Sequence, residues 1–300
     1  MNCKDCAHYQ ICSDFLEAMG YSLTEVRFGM DARCKKFKQR EGDLMQIINC
    51  KEIRDDILNN IPFELFKNKH ILAISKEWSG DNESYLRSIK KTAECFGVGV
   101  SHICGKNPAA EDVAWIVGKE FDKLGKLPAV LLLGFTPEER AVIARRISGI
   151  VEGVNLLDPP YNPNVIEAVE RVLFRALGVK MTEPLETVII GKSELAMKAG
   201  ACFLKKRHTV TFVHTGTKDL KSYTRKADVI VSFAGCPNLI KGDMVKDGAV
   251  IVSVGCGMLE GRLCGDIDMD SMKNKNVRVT PTPGGVGIIT TALLFEELAR

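Results

Sequence analysis

Val279-Thr280-Pro281-Thr282-Pro283-Gly284-Gly285-Val286-Gly287 decides how this chain is read. The stretch leaves a short β-type run at Val277 and Val279 and opens onto an apolar helical segment from Ile288 to Leu298. Its prolines fix the path of the loop, and its glycines let the backbone approach a flat ligand closely. A flexible linker would be richer in serine and polar residues. The loop therefore reads as ligand-facing or, failing that, as a tight strand-to-helix turn.

Working upstream, short apolar runs alternate with helical patterns. Thr187–Ile190, Thr209–Val213, Val229–Phe233, Val250–Val254 and Val277–Val279 read as strands, and Asn164–Leu177 reads as a helix. That rhythm is a Rossmann-like α/β unit. Asp158-Pro159-Pro160-Tyr161-Asn162-Pro163 breaks both the helix and the strand period and marks a domain boundary. Before it, strands at Ile71–Ile74, Val98–Ile103 and Ala129–Leu133 alternate with helices at Asn82–Phe96, Ala109–Leu124 and Pro137–Val151. This is a second α/β domain with a parallel sheet; Val98–Ile103 alternates, while the continuous apolar run Ala129–Leu133 reads as a strand buried on both faces.

Three hundred residues suit two domains, or one large one. A net charge of +3 is too small to argue for a nucleic-acid or acidic-membrane partner. No stretch has the length and apolarity of a membrane span, and the first residues carry no apolar signal core, so a cytoplasmic location is expected.

Four of the eleven cysteines, Cys3, Cys6, Cys12 and Cys34, fall in the first 34 residues. The Cys3-x2-Cys6 spacing can place two thiolates on one metal, and Cys12 and Cys34 can complete a tetrahedral site, with His8 as a substitute. Structural zinc is the leading reading; an iron–sulfur cluster or unmetallated thiols are the alternatives. Lys35, Lys36, Lys38 and Arg40 behind them read as a solvated basic rim rather than a nucleic-acid site.

The opening segment resembles the C-terminal signature V-T-P-V-P-G-G-V-G-P-M-T of the methylenetetrahydrofolate dehydrogenase/cyclohydrolase family. Ala227-Asp228-Val229-Ile230-Val231 through Gly235-Cys236-Pro237 is similar to that family's A-D-I-V-V…G-x-P, and Gly265-Asp266-Ile267-Asp268 to its G-D-V-D. Gln46–Ile53, Ser84-Tyr85-Leu86 and Lys91–Glu94 carry the resemblance into the first half. The resemblance covers about residues 45 to 300. It implies two domains: 43–160, completed by a C-terminal helix at 286–300, for the folate, and 161–285 for NAD(P). The head, 1–42, is an addition to that pattern. The resemblance also implies a homodimer.

Gly191-Lys192-Ser193 ends a strand where such a unit places the pyrophosphate, and it resembles the family's G-R-S-x-x-V-G-x-P. Met197 stands at its second glycine, and Gly200 could offer a shifted close approach. The next strand ends at His214-Thr215-Gly216-Thr217-Lys218, with no acid for a ribose hydroxyl. Hydroxyls and positive charge there favour NADP, with NAD possible; His214 reads equally as a strand-end residue satisfied by backbone. The resemblance adds Thr290 on the cofactor side.

For the chemistry, the resemblance implies a Tyr and a Lys one helical turn apart, a strand-end Gln and an Asp that holds the pterin. Here Tyr85 is kept, Ile89 replaces the Lys, Leu133 the Gln and Glu152 the Asp. Pro283, Gly284 and Gly285 would line the folate cleft with Tyr85 and Glu152. Lys90 is adjacent to Ile89 but about 100° around the helix. Cys236 and Cys256 fall in loops near the expected cofactor and read as small packed hydrophobes, with redox-sensitive thiols as the alternative. The expectation is an NAD(P)-dependent methylenetetrahydrofolate dehydrogenase whose cyclohydrolase step is in question. A dehydrogenase of another pterin or a non-folate substrate, and a non-catalytic ligand-binding or scaffold homologue, stay open beside it.

Overall fold

The computed structural model describes residues 44–76, 80–126, 128–148 and 164–300. The Cys-rich head, with Cys3, Cys6, Cys12 and Cys34, and the segment holding Glu152 and the proline-rich boundary lie outside the described residues.

Twenty elements follow one another: β1 (Gln46–Ile47), α1 (Cys50–Asn59), β2 (His70–Ser75), α2 (Gly80–Phe96), β3 (Gly99–Cys104), α3 (Ala110–Leu124), β4 (Ala129–Leu133), α4 (Pro137–Ser148), α5 (Asn164–Leu177), β5 (Glu186–Ile190), α6 (Glu194–Lys205), β6 (Thr209–Val213), α7 (Leu220–Thr224), β7 (Val229–Ser232), β8 (Val250–Ser253), β9 (Cys256–Leu259), β10 (Arg262–Gly265), α8 (Met269–Met272), β11 (Arg278–Val279) and α9 (Val286–Ala299). They build a parallel three-stranded sheet ordered β3-β2-β4, a parallel six-stranded sheet ordered β1-β11-β8-β7-β5-β6, and the hairpin β9–β10.

The alternation along β2 sorts its side chains to two cores. Ile71 and Ala73 pack with Leu86 and Ile89 of α2 and Leu294 and Phe295 of α9. Leu72 and Ile74 pack with Val113 and Val117 of α3 and Ile143 and Ile147 of α4. Both faces are covered by helices, as a parallel sheet requires. The larger sheet is built the same way: Ile189, Val231 and Val252 face α1, α5, α6 and the start of α9, while Val188, Ile230 and Ile251 form a core on the opposite face.

Two features join the sheets. Helix α9 is shared: Val286, Ile289, Ala292 and Leu293 belong to the core of the larger sheet, and Leu294, Phe295, Leu298 and Ala299 to that of the smaller. Phe295 stands 6.0 Å from Phe66 and 5.9 Å from Phe96, ring centre to ring centre. The second feature departs from the expected division at 43–160. Gln46 and Ile47 pair with Arg278 and Val279 at the edge of the larger sheet, and α1 buries Ile53 and Ile57 in that sheet's core. A two-residue strand has no period to read, which is why the sequence did not assign it. No helix among the described residues is long and apolar enough to cross a membrane.

Candidate functional site

In a doubly wound parallel sheet, ligands bind outside the carboxyl ends of the strands, where the strand order reverses. Here the chain goes from β5 to β6 on one side and then to β7 on the other. The loops after β5 and β7 therefore border the crevice. They touch: Gly191 has φ +135°, and a Cβ there would come within 3.2 Å of Cβ of Phe233.

Ser193 caps α6, its Oγ accepting from the N–H of Ala196 at 3.2 Å. A helix N-terminus directly after this loop is suited to an anion. Lys192 and Ser193 are exposed. After β6, His214, Thr215, Gly216 and Thr217 form a tight turn. The N–H of Thr217 donates to the carbonyl of His214 at 2.8 Å, that of His214 to Oγ1 of Thr217 at 3.0 Å, and that of Gly216 to Nδ1 of His214 at 3.0 Å. The last bond leaves Nε2 of the exposed ring as the nitrogen turned outward.

Expectations for four residues change. Met197 is 55% exposed on α6, so its side chain projects from the helix surface instead of filling the loop. Gly200 makes its close approach to the ring of Phe212 on β6, not to a ligand, because α6 packs tightly on that strand. Thr290 is buried, and its hydroxyl donates to the carbonyl of Val286 within α9 at 3.1 Å. Cys236, expected as a packed residue, is exposed, and Cys256 is half-buried.

The Pro-Gly-Gly loop joins β11 to α9. Its Thr282–Pro283 peptide is cis, Gly284 has φ +90°, Pro283 is exposed and Gly285 is buried at the N-cap of α9. On the first sheet, Tyr85 is half-buried on α2 against the cluster that contains Ile89 and Leu133. Ile89 is fully buried and Leu133 nearly so, and both are packed among apolar neighbours. One turn beyond Tyr85, Ser88 hydrogen-bonds to Thr291 of α9. Lys90 is exposed. Burial, and then the charge of Lys90, hold the His102 imidazole below its ordinary pKa; Nε2 of that ring is 2.9 Å from Oγ of Ser75.

A buried polar network behind these loops escaped the sequence reading. Asp266 is fully buried, and Ser232, Ser253 and Thr280 are buried around it. Ser232 and Ser253 end the identical runs Val-Ile-Val-Ser of β7 and β8 and lie side by side in register. That repeated terminal serine was the available signal, since a hydroxyl closing a buried strand needs a partner.

Residues 167–300 match the model of the tetrahydrofolate dehydrogenase/cyclohydrolase NAD(P)-binding domain. The bifunctional protein FolD of Dictyoglomus thermophilum is 33% identical over 272 residues, covering 83% of this chain and 92% of that protein. The FolD of Lactobacillus helveticus is 47% identical over 121 residues, 39% of this chain and 43% of the relative. The crystal structure of the bifunctional enzyme FolD, methylenetetrahydrofolate dehydrogenase/cyclohydrolase, from Campylobacter jejuni superposes with a TM-score of 0.70 at 26% identity, covering 85% of this chain and 97% of that one. The Trypanosoma brucei methylenetetrahydrofolate dehydrogenase-cyclohydrolase, solved with NADP cofactor and an inhibitor, shares the fold at a TM-score of 0.67 and 21% identity, covering 85% of this chain and 96% of that one. Two parallel sheets joined by a shared C-terminal helix, with the glycine-rich loops gathered at their strand ends, thus coincide with sequence identity along most of the chain: this protein belongs to the tetrahydrofolate dehydrogenase/cyclohydrolase family.

Proposed function

We propose that this protein is an NAD(P)-dependent methylenetetrahydrofolate dehydrogenase of one-carbon metabolism. The observation that carries the reading is the contact of the loops after β5 and β7, at Gly191 and Phe233, on the sheet whose strand β11 also leads into the 281–285 loop, in a chain of this family. The dinucleotide, when bound, supplies the hydride acceptor. The chain supplies position: Gly191, Ser193 and the α6 N-terminus for the pyrophosphate, Lys192, His214 and Thr215 for a ribose 2′-phosphate, which favours NADP over NAD. Thr290 is put on the cofactor side by the family resemblance alone; its hydroxyl donates to the carbonyl of Val286 within α9. Tyr85, Glu152, Pro283, Gly284 and Gly285 line the folate cleft. Hydride transfer requires two reactants held in line more than it requires a protein base.

Hydrolysis of the methenyl product is different, because a group must handle the proton of the attacking water. Ile89 and Leu133 place fully packed apolar side chains at the two positions where the family resemblance implies a lysine and a glutamine. We therefore assign the dehydrogenase step to this chain and not the cyclohydrolase step. The same two residues favour a second reading, a dehydrogenase of the same fold acting on another pterin or a non-folate substrate.

An absorbance assay with methylenetetrahydrofolate and either NADP or NAD decides between them. Formation of reduced cofactor, with methenyl product accumulating, supports the assignment; a folded protein with no turnover on either cofactor overturns it. The head is proposed to bind zinc through Cys3, Cys6, Cys12 and Cys34, read by metal content per chain, and the protein is proposed to be a cytoplasmic homodimer, read by light scattering for the oligomer.

A further inference from the structure

Asp266 gathers the loop that follows β7. Its Oδ2 accepts from the hydroxyl of Ser232 at 2.5 Å, the N–H of Ala234 at 3.1 Å and the N–H of Gly235 at 3.3 Å, and its Oδ1 from the N–H of Cys236 at 2.8 Å. Three consecutive backbone amides thus converge on one buried side chain. Residues 234–236 are exposed, yet their amides turn inward to a buried carboxylate supplied 30 residues later.

The same residue is tied to the neighbouring loops through its backbone. Its N–H donates to Oγ of Ser253 at 2.8 Å, and the Ser253 hydroxyl donates to the carbonyl of Gly255 at 2.9 Å. The N–H of Ser253 in turn donates to Oγ1 of Thr280 at 2.9 Å, at the start of the Pro-Gly-Gly loop. A carboxylate with four donors in a dry site is held in one orientation, and the donors are held with it.

We infer that Asp266 is the positioning residue for the dinucleotide: it fixes the 234–236 backbone that forms one wall of the crevice opposite Gly191, without itself touching the ligand. The inference rests on the dinucleotide reading above. It follows that the amides of 234–236 face Asp266 and the phosphates are served by the α6 side of the crevice. An asparagine at this place keeps the shape, but it sets an NH2 group against backbone donors, so the wall loosens while the sheet core is untouched.

The test is calorimetric titration of NADP into wild type, Asp266→Asn and Ser232→Ala, each shown to be folded by circular dichroism and a thermal melt. Asp266→Asn is expected to weaken NADP binding about tenfold or more in protein that is still folded, and Ser232→Ala, which removes one of the four bonds, by a smaller factor of about three. A purely structural role would lower the melting temperature and leave the Kd of the folded protein within about twofold of wild type; that result overturns the inference. If Asp266→Asn does not fold, Ser232→Ala decides, and an unchanged Kd there overturns it equally. Wild type that binds neither NADP nor NAD removes the dinucleotide reading and this inference with it.

Discussion

Ser88 Oγ and Thr291 Oγ1 lie 3.1 Å apart, joining the helix that carries Tyr85 to the helix shared by both cores. Thr291 already donates to the carbonyl of Gly287, so the bond runs from Ser88 to Thr291. Thr291→Val keeps the shape and removes the acceptor. The expected outcome is a loss of about 1–2 kcal/mol in urea unfolding, with a raised KM for the folate and an unchanged Kd for NADP.

Gly255 stands against Gly235 so closely that a Cβ would overlap the backbone nitrogen of Gly235 and come 2.6 Å from Oδ2 of Asp266. The first obstacle is backbone, and the second is a carboxylate held by four hydrogen bonds, so neither swings away freely. Gly255→Ala is expected to cost about 1–3 kcal/mol by overpacking, read as a fall in melting temperature, and to weaken dinucleotide binding.

Phe295 is fully buried on the half of α9 that faces the smaller sheet. Phe295→Ala is expected to cost about 3–5 kcal/mol. Because the preceding turns of the same helix are packed in the larger core, both sheets should melt together. Two separated calorimetric transitions in this variant would contradict that coupling.

His208 is almost fully buried, Nδ1 being 3.0 Å from Oγ1 of Thr187 and Nε2 3.3 Å from the carbonyl of Met181. Burial lowers its pKa from the ordinary 6.5, outweighing the bond to Met181, which acts in the opposite direction. In the unfolded chain the ring takes up a proton near 6.5, and in the fold it stays neutral to lower pH. The unfolded state therefore binds more protons below 6.5. Stability conferred by the neutral ring is complete above that pH and is lost progressively as pH falls. His70 and His102, also lowered by burial first, add to the same slope. Urea midpoints measured from pH 7.5 down to about 5 should fall, and His208→Gln should flatten part of that slope.

Lys192 is exposed beside Gly191 and Ser193. Lys192→Ala is expected to raise the KM for NADP about tenfold and that for NAD little, since the 2′-phosphate alone distinguishes the two. Equal effects on both cofactors would place the lysine at the pyrophosphate instead.

Regular elements were legible where a period repeats. β2, β4, β6 and α5 appear within a residue or two of the expected spans, because apolar strands between helical patterns have few other ways to bury both faces. The turns at Gly191 and Gly284 were legible from turn chemistry, and both glycines do hold a positive φ. What was not legible depended on partners distant in sequence. The pairing of Gln46 with Arg278 and the bonds from Ala234 and Ser232 to Asp266 leave no local pattern. Gly200 looked like a ligand contact because its real neighbour, Phe212, is reached only after the chain turns back along β6.

The sharing of α9, together with the β1–β11 pair, bears on how the protein is made. The segment at 46–57 waits for partners at 278–293, and the smaller sheet waits for Phe295 and Leu298. A nascent chain still lacking α9 would expose apolar faces of both sheets at once, so neither half can reach its finished core before residues 286–299 are available. Such a chain depends on being shielded during synthesis, and a premature stop even a few codons before Phe295 would leave two unfinished cores instead of one good domain and a tail.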